Sequence, residues 1–216
     1  MKKVIVLICV CLCFESIFGK SDTGKTNEWP ANFFKTLKTK DNAEGISCTI
    51  TTPDSSVHFI GEKYGGGIVF YVYDKGRYGL IAAVADQSTE SQPWYNGAFK
   101  QTGATRDGIG EGAKNTSLII AAQSADNKEG TFVAKLCADY SVTVNGITYD
   151  DWYLPSKAEL NLLFLQKDVV SGLSYLYYWS STEIDNNEAW MQNFTFDEQL
   201  NVSKDHKLFV RAIRAF

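Results

Sequence analysis

The sequence predicts an α+β protein. Runs rich in β-branched and aromatic residues open and close the region from about residue 58 to residue 216, and segments of helical periodicity lie between them. Seventeen glycines against four prolines add many tight turns, and 44% hydrophobic with 13% aromatic residues is too apolar for a disordered chain.

Before that region, Lys2 and Lys3 precede the apolar run Val4 to Phe14, and Ile17-Phe-Gly19 ends on a small residue, the pattern of a secretory signal peptide over residues 1–19. An apolar run of this length is well short of the ~20 residues that span a bilayer, so no retained membrane segment is expected. Residues 20–57 carry five positive and five negative charges and little periodicity, which reads as a leader, with Trp29 to Leu37 its one apolar stretch.

From His58 the pattern tightens. Ile68-Val-Phe-Tyr-Val-Tyr73, a turn at 74–79 and Leu80-Ile-Ala-Ala-Val-Ala85 predict a β-hairpin whose near-continuous apolar strands are covered on both faces. A glycine-punctuated polar loop occupies 86–110. Ala113, Ser117, Ile120, Ala121 and Ser124 then recur at helical spacing over 111–124, as do Phe132, Val133, Leu136, Cys137 and Tyr140 over 130–140. Asn145-Gly146 centres a small exposed hairpin. Ser156 and Glu159 form a capping box ahead of Leu160, Leu163 and Phe164, so a third helix is expected over about 157–168. Aromatic-rich strands are expected at 177–181, 189–196 and 208–216.

The formal charge of −4 argues against a nucleic-acid-seeking surface; removing residues 1–19 makes it −5, all of it within 58–216, where 14 basic face 19 acidic residues. Of five cysteines, Cys48 and Cys137 outlast the signal peptide. In an oxidising compartment they either pair, or Cys137 stays a buried free thiol on its helix, and spacing does not choose.

Several segments together resemble the C-terminal domain family of the Legionella collagen-like adhesin: Tyr64-Gly-Gly-Gly-Ile-Val-Phe-Tyr71, Asp86-Gln-Ser88, Trp94-Tyr-Asn-Gly97, Asp151-Trp-Tyr-Leu-Pro-Ser-Lys157, Tyr178-Trp-Ser-Ser-Thr-Glu183 and Val210-Arg-Ala-Ile-Arg-Ala-Phe216. The resemblance covers about 58–216. It implies an exported bacterial protein with a C-type-lectin-like fold, related to the formylglycine-generating fold, of short antiparallel strands with about three inserted helices. For the adhesin it also implies a homotrimer that binds sulfated host glycosaminoglycans. Two departures stand out: no Gly-X-Y repeat occurs in 20–57, and the acidic domain needs a gathered cluster from Arg77, Arg106, Arg211 and Arg214 to hold a sulfated polymer.

Sugars offer C–H faces to aromatic rings and hydroxyls to polar side chains. Asp86, Gln87, Trp94, Tyr95 and Asn96, with Arg106 and Arg211, are therefore the candidate ligand residues; the competing reading makes Trp94 a core plug and Asp86 a turn cap. Glu183, Asp185, Asn187 and Glu188 supply the hard oxygens that calcium prefers, although a solvated polar turn between two strands is their ordinary explanation and no EF-hand spacing is present. No other cofactor is indicated. The loop Gly103 to Gly112 lacks the Gly-Lys-Ser/Thr of a phosphate cradle. His58 and His206 have no nucleophile or metal-ligand pattern beside them, which argues against an enzyme. The expectation is a secreted glycan-binding, adhesin-like module that meets host-surface carbohydrate. The alternative is a protein-binding or self-associating structural domain.

Overall fold

The computed structural model describes residues 57–216 apart from 126, 128 and 175, together with the backbone of 39–42 and 45–48. Residues 1–19, which the sequence reads as a signal peptide, and the stretch Trp29 to Leu37 lie outside the described residues. The chain divides into two units, Met1–Thr52 and Pro53–Phe216. In the first, β1 (Thr39–Asn42) and β2 (Gly45–Cys48) pair antiparallel, a hairpin within what the sequence reads as leader.

The second unit is α+β, with mixed helices and antiparallel strands in small sheets. β3 (Lys63–Tyr64), β4 (Gly67–Tyr73) and β5 (Tyr78–Ala83) form a meander, and β13 (Ile213–Ala215) joins it in the order β13-β5-β4-β3. The predicted double coverage is present. Val69, Ile81 and Ala83 face one core with Trp94, Ile119, Phe132 and Trp179, whereas Ile68, Phe70, Leu80 and Ala82 face another with Leu160, Leu163, Phe164 and Tyr178.

β4 does not alternate throughout. Its register against β5 shifts between Val69 and Tyr71, so Phe70 is a bulged residue and both Phe70 and Tyr71 pack toward the second core. One extra residue re-aims everything after it, because strand faces alternate with period two. Tyr71 and Tyr73 consequently share the second core's side of the sheet.

The predicted helices form, with shifted limits: α1 (Gly112–Gln123), α2 (Val133–Ala138), α3 (Lys157–Leu165) and α4 (Lys167–Val170). A break at Gln166 splits the helix expected over 157–168. The capping box is complete, with Ser156 Oγ accepting from the Glu159 amide and the Glu159 carboxylate accepting from the Ser156 amide. α1 buries a different stripe from the expected one: Gly112, Asn115, Thr116, Ile119 and Gln123 face inward, while Ala113 and Ser117 are exposed.

β7 (Val142–Val144) and β8 (Ile147–Tyr149) are the expected exposed hairpin. β9 (Tyr177–Glu183), β10 (Glu188–Asn193) and β11 (Glu198–Ser203) form a second antiparallel sheet in the order β11-β10-β9; β10 ends at Asn193 where the sequence suggests 196, and β11 is a strand the periodicity did not mark. The run expected as one strand over 208–216 is broken. β12 (Lys207–Leu208) pairs with β6 (Gln92–Pro93), residues 209–212 carry only an isolated bridge, and β13 follows. The domain's two ends meet: His58 stacks on Tyr64 at 3.8 Å and meets Phe216 edge-on at 4.9 Å, while Phe216 exchanges both backbone hydrogen bonds with Gly79.

Candidate functional site

The structure turns most of the sequence-predicted ligand residues inward. Trp94 is fully buried, its indole N–H donates to the Ser180 carbonyl at 2.9 Å, and it is a core plug. Arg211 is equally buried and distributes its guanidinium over Asp86 Oδ1 at 2.7 Å and the carbonyls of Ala83 and Gly172 at 2.9 and 2.6 Å. The other Asp86 oxygen accepts from the Tyr178 hydroxyl at 2.9 Å, which in turn accepts from the Ser174 amide. Burial, with Asp86 adding to it, pushes that phenol up to about 12. Asp86 and Arg211 thus hold loop 171–174 from beneath rather than facing solvent.

Gln87 accepts from the Ala212 amide and donates to the Ala85 carbonyl, stitching its loop to the chain ahead of β13. Asn96 donates to the carbonyls of Gln123 and Asn127, and its amide to Gln123 Oε1, which pins the loop after α1. Tyr95 is half-buried against exposed Phe99, ring centroids 4.9 Å apart. Arg106 is exposed beside Glu111 at 3.4 Å. Arg214 clamps Asp151 through two bonds of 2.6 and 2.9 Å, holding that carboxyl below its ordinary range. The four arginines are therefore not gathered: Arg211 pairs with Asp86, Arg214 with the exposed Asp151, Arg106 sits beside Glu111, and Arg77, exposed, has no ion pair among the described residues.

The proposed calcium residues also part company. Glu183 is buried and accepts from the amides of Thr102 and Gly103 at 2.8 Å each, and Lys204 Nζ lies 2.6 Å from its Oε1. Asp185 instead accepts from the amides of Asn187 and Glu188 in the exposed turn, and Glu188 pairs with Asn201. Among the described residues no group of three or more His, Cys, Asp or Glu side chains is arranged to hold a metal ion. Cys137 is a buried free thiol, and burial pushes it well up; the Cys48 side chain lies outside the described residues.

What the surface does display is a row of tyrosines at the β4–β5 tip. Tyr73 and Tyr78 face each other across the hairpin, half-exposed, with ring centroids 5.4 Å apart and planes 25° off parallel; Tyr71 continues the row 6.1 Å from Tyr73. The bulge at Phe70 puts Tyr71 and Tyr73 on this side. The tip itself is strained, with φ of 46°, 60° and 88° at Asp74, Lys75 and Gly76, a left-handed run that disfavours side chains. It is held because the His58 amide donates to the Gly76 carbonyl, and a Cβ at residue 76 would sit 2.4 Å from the His58 oxygen. Lys75 and Arg77, in the same turn, are exposed.

Periodicity could have exposed this row, since Tyr71, Tyr73 and Tyr78 straddle a turn at cross-strand spacing. Reading both strands as covered hid it. Two depressions accompany it, one of about 300 Å3 between Lys167, Ser174 and Phe194 and one of about 90 Å3 beside Lys135. These features define an α+β domain with an exposed aromatic row at one hairpin tip. No family model matches the chain, and no curated protein matches it.

Proposed function

We propose that the chain is an exported binding module of C-type-lectin-like architecture that recognises glycans, with the tyrosine row at the β4–β5 tip as its contact surface. The single observation carrying this reading is the row itself: half-exposed phenol rings held in register on a strained, pinned turn. Aromatic faces exposed in this way stack on the C–H faces of pyranose rings, their hydroxyls serve sugar hydroxyls, and a preformed platform loses little entropy on binding. Lys75 and Arg77 add the charge that an acidic sugar requires. The motifs Tyr64 to Tyr71 and Val210 to Phe216, which resemble the adhesin domain, build the sheet under this tip. The signal-peptide pattern at 1–19 supports export.

A glycan array probed with the secreted chain, with and without EDTA, tests the reading. Binding that survives EDTA, and that is lost in Tyr73→Ala and Tyr78→Ala at an unchanged thermal midpoint, is expected. A blank array together with a concentration-independent trimer would transfer the function to self-association. Phe196, 72% exposed at the β10–β11 turn, is the observation that favours that second reading.

A further inference from the structure

The oxygen set that the sequence suggests for calcium exists in part, and the protein fills it itself. Lys204 is fully buried, and its Nζ lies 2.6 Å from Glu183 Oε1, 2.6 Å from the Asp185 carbonyl, 3.0 Å from the Lys100 carbonyl and 3.2 Å from the Asn186 carbonyl. The Trp94 ring closes the remaining side, its centroid 4.5 Å away. Four oxygens converge on an ammonium that has three N–H donors. An acceptor shell richer than the donors it serves is arranged for a positive charge, not for directional hydrogen bonds. The distances exceed the 2.3–2.6 Å of calcium ligands at two of the four oxygens, so the cage is sized for an ammonium rather than a hard divalent ion.

Its oxygens come from two separate stretches, residue 100 and residues 183–186, and the ammonium from a third. Lys100 belongs to the long loop after β6, Glu183 ends β9, and Asp185 and Asn186 form the turn into β10. Glu183 also receives the Thr102 and Gly103 amides, and the Lys204 amide donates to the Asn187 carbonyl. Every one of these strands and loops is tied through the same charge.

We propose that this is a small-cation site whose resident cation is the Lys204 side chain, tethered in place of a free ion, and that it fixes loop 97–103 to turn 184–187 without any metal. Emptied of its tether, the cage takes a free monovalent ammonium such as methylammonium.

Three measurements on the full mature chain test this. In the unmodified protein, the Lys204 15Nζ–1H correlation is expected at neutral pH with slowed hydrogen exchange, and the thermal midpoint is expected to ignore both EDTA and added Ca2+. Lys204→Ala lowers the midpoint and regains part of the loss in methylammonium chloride but not in equal tetramethylammonium chloride, which is too large for the cage. Lys204→Met, whose apolar chain fills the same space, loses stability and gains nothing from methylammonium. Should Lys204→Ala not fold alone, its refolding yield with methylammonium replaces the midpoint. A freely exchanging Lys204 ammonium, equal response of both variants to methylammonium, no rescue of Lys204→Ala, or stabilisation of the unmodified chain by Ca2+ would each overturn the proposal.

Discussion

Arg211 shows how a single residue changes meaning between sequence and structure. As one of four arginines that a fold would have to gather, it reads as a candidate sulfate ligand, yet it is buried and bonded to Asp86 and two carbonyls. Replacing it with Met orphans a largely buried carboxylate, and such losses are about 3–5 kcal/mol; urea unfolding of Arg211→Met should show a drop of that order, with no effect specific to ligand affinity. Tyr178, on the same network, gives a pH signature. Its folded-state value of about 12 lies above the ordinary 10.0, so its contribution is complete below pH 10 and disappears as pH rises through 12. Tyr153, also pushed up by burial, acts in the same direction. Tyr178→Phe should therefore flatten the loss of stability over that alkaline window, read as thermal midpoints at stepped pH. The chemistry of Asp86 and Arg211 was legible from sequence, but their direction was not, because burial of a polar residue depends on a partner 125 positions away.

At the scale of the element, α3 was the most legible part, since Ser156 and Glu159 carry both halves of their cap within four residues. Ser156 is also committed beyond it: its hydroxyl donates to the Gly108 carbonyl at 2.7 Å while Glu159 takes the Gly110 amide. Ser156→Ala should cost about 1–2 kcal/mol, the upper part of the range for N-caps, measured by chemical denaturation. Glu159, buried, is pushed above its ordinary value despite the hydrogen bonds it accepts. α1 was less legible: its inward stripe is largely polar, with Asn115 and Thr116 bonding the Arg106 and Gly112 carbonyls, so hydrophobic periodicity selected the neighbouring face. Gly112 separates propensity from packing. In an open helix Gly→Ala is worth about 1 kcal/mol of added stability. Here an added Cβ meets Glu159 Oε2 at 2.3 Å and the Leu154 carbonyl at 2.8 Å, so Gly112→Ala should destabilise, and a rise in thermal midpoint would contradict the packing.

Over the whole domain, composition and patterning fixed the class: strands first and last, helices between, and a sheet covered on both sides. What they could not supply was the long-range pairing, β13 beside β5 and β12 beside β6, or the bulge that decides which face the tyrosines take. Since the unit Pro53–Phe216 has its own two cores, a chain beginning at residue 53 should fold with the thermal midpoint of a chain beginning at residue 20. The helices lie within one hundred residues of sequence, but the sheet that receives them does not close locally. β5 gains its outer neighbour only when residues 213–215 arrive, and Phe216 seals the sheet against Gly79. Contacts of such separation set a high topological barrier and folding in milliseconds to seconds rather than microseconds. The β4–β5 hairpin is local, but one edge of β5 waits for residues 213–215, so a fragment of the domain cut before them carries an open strand edge, a template for pairing with another chain.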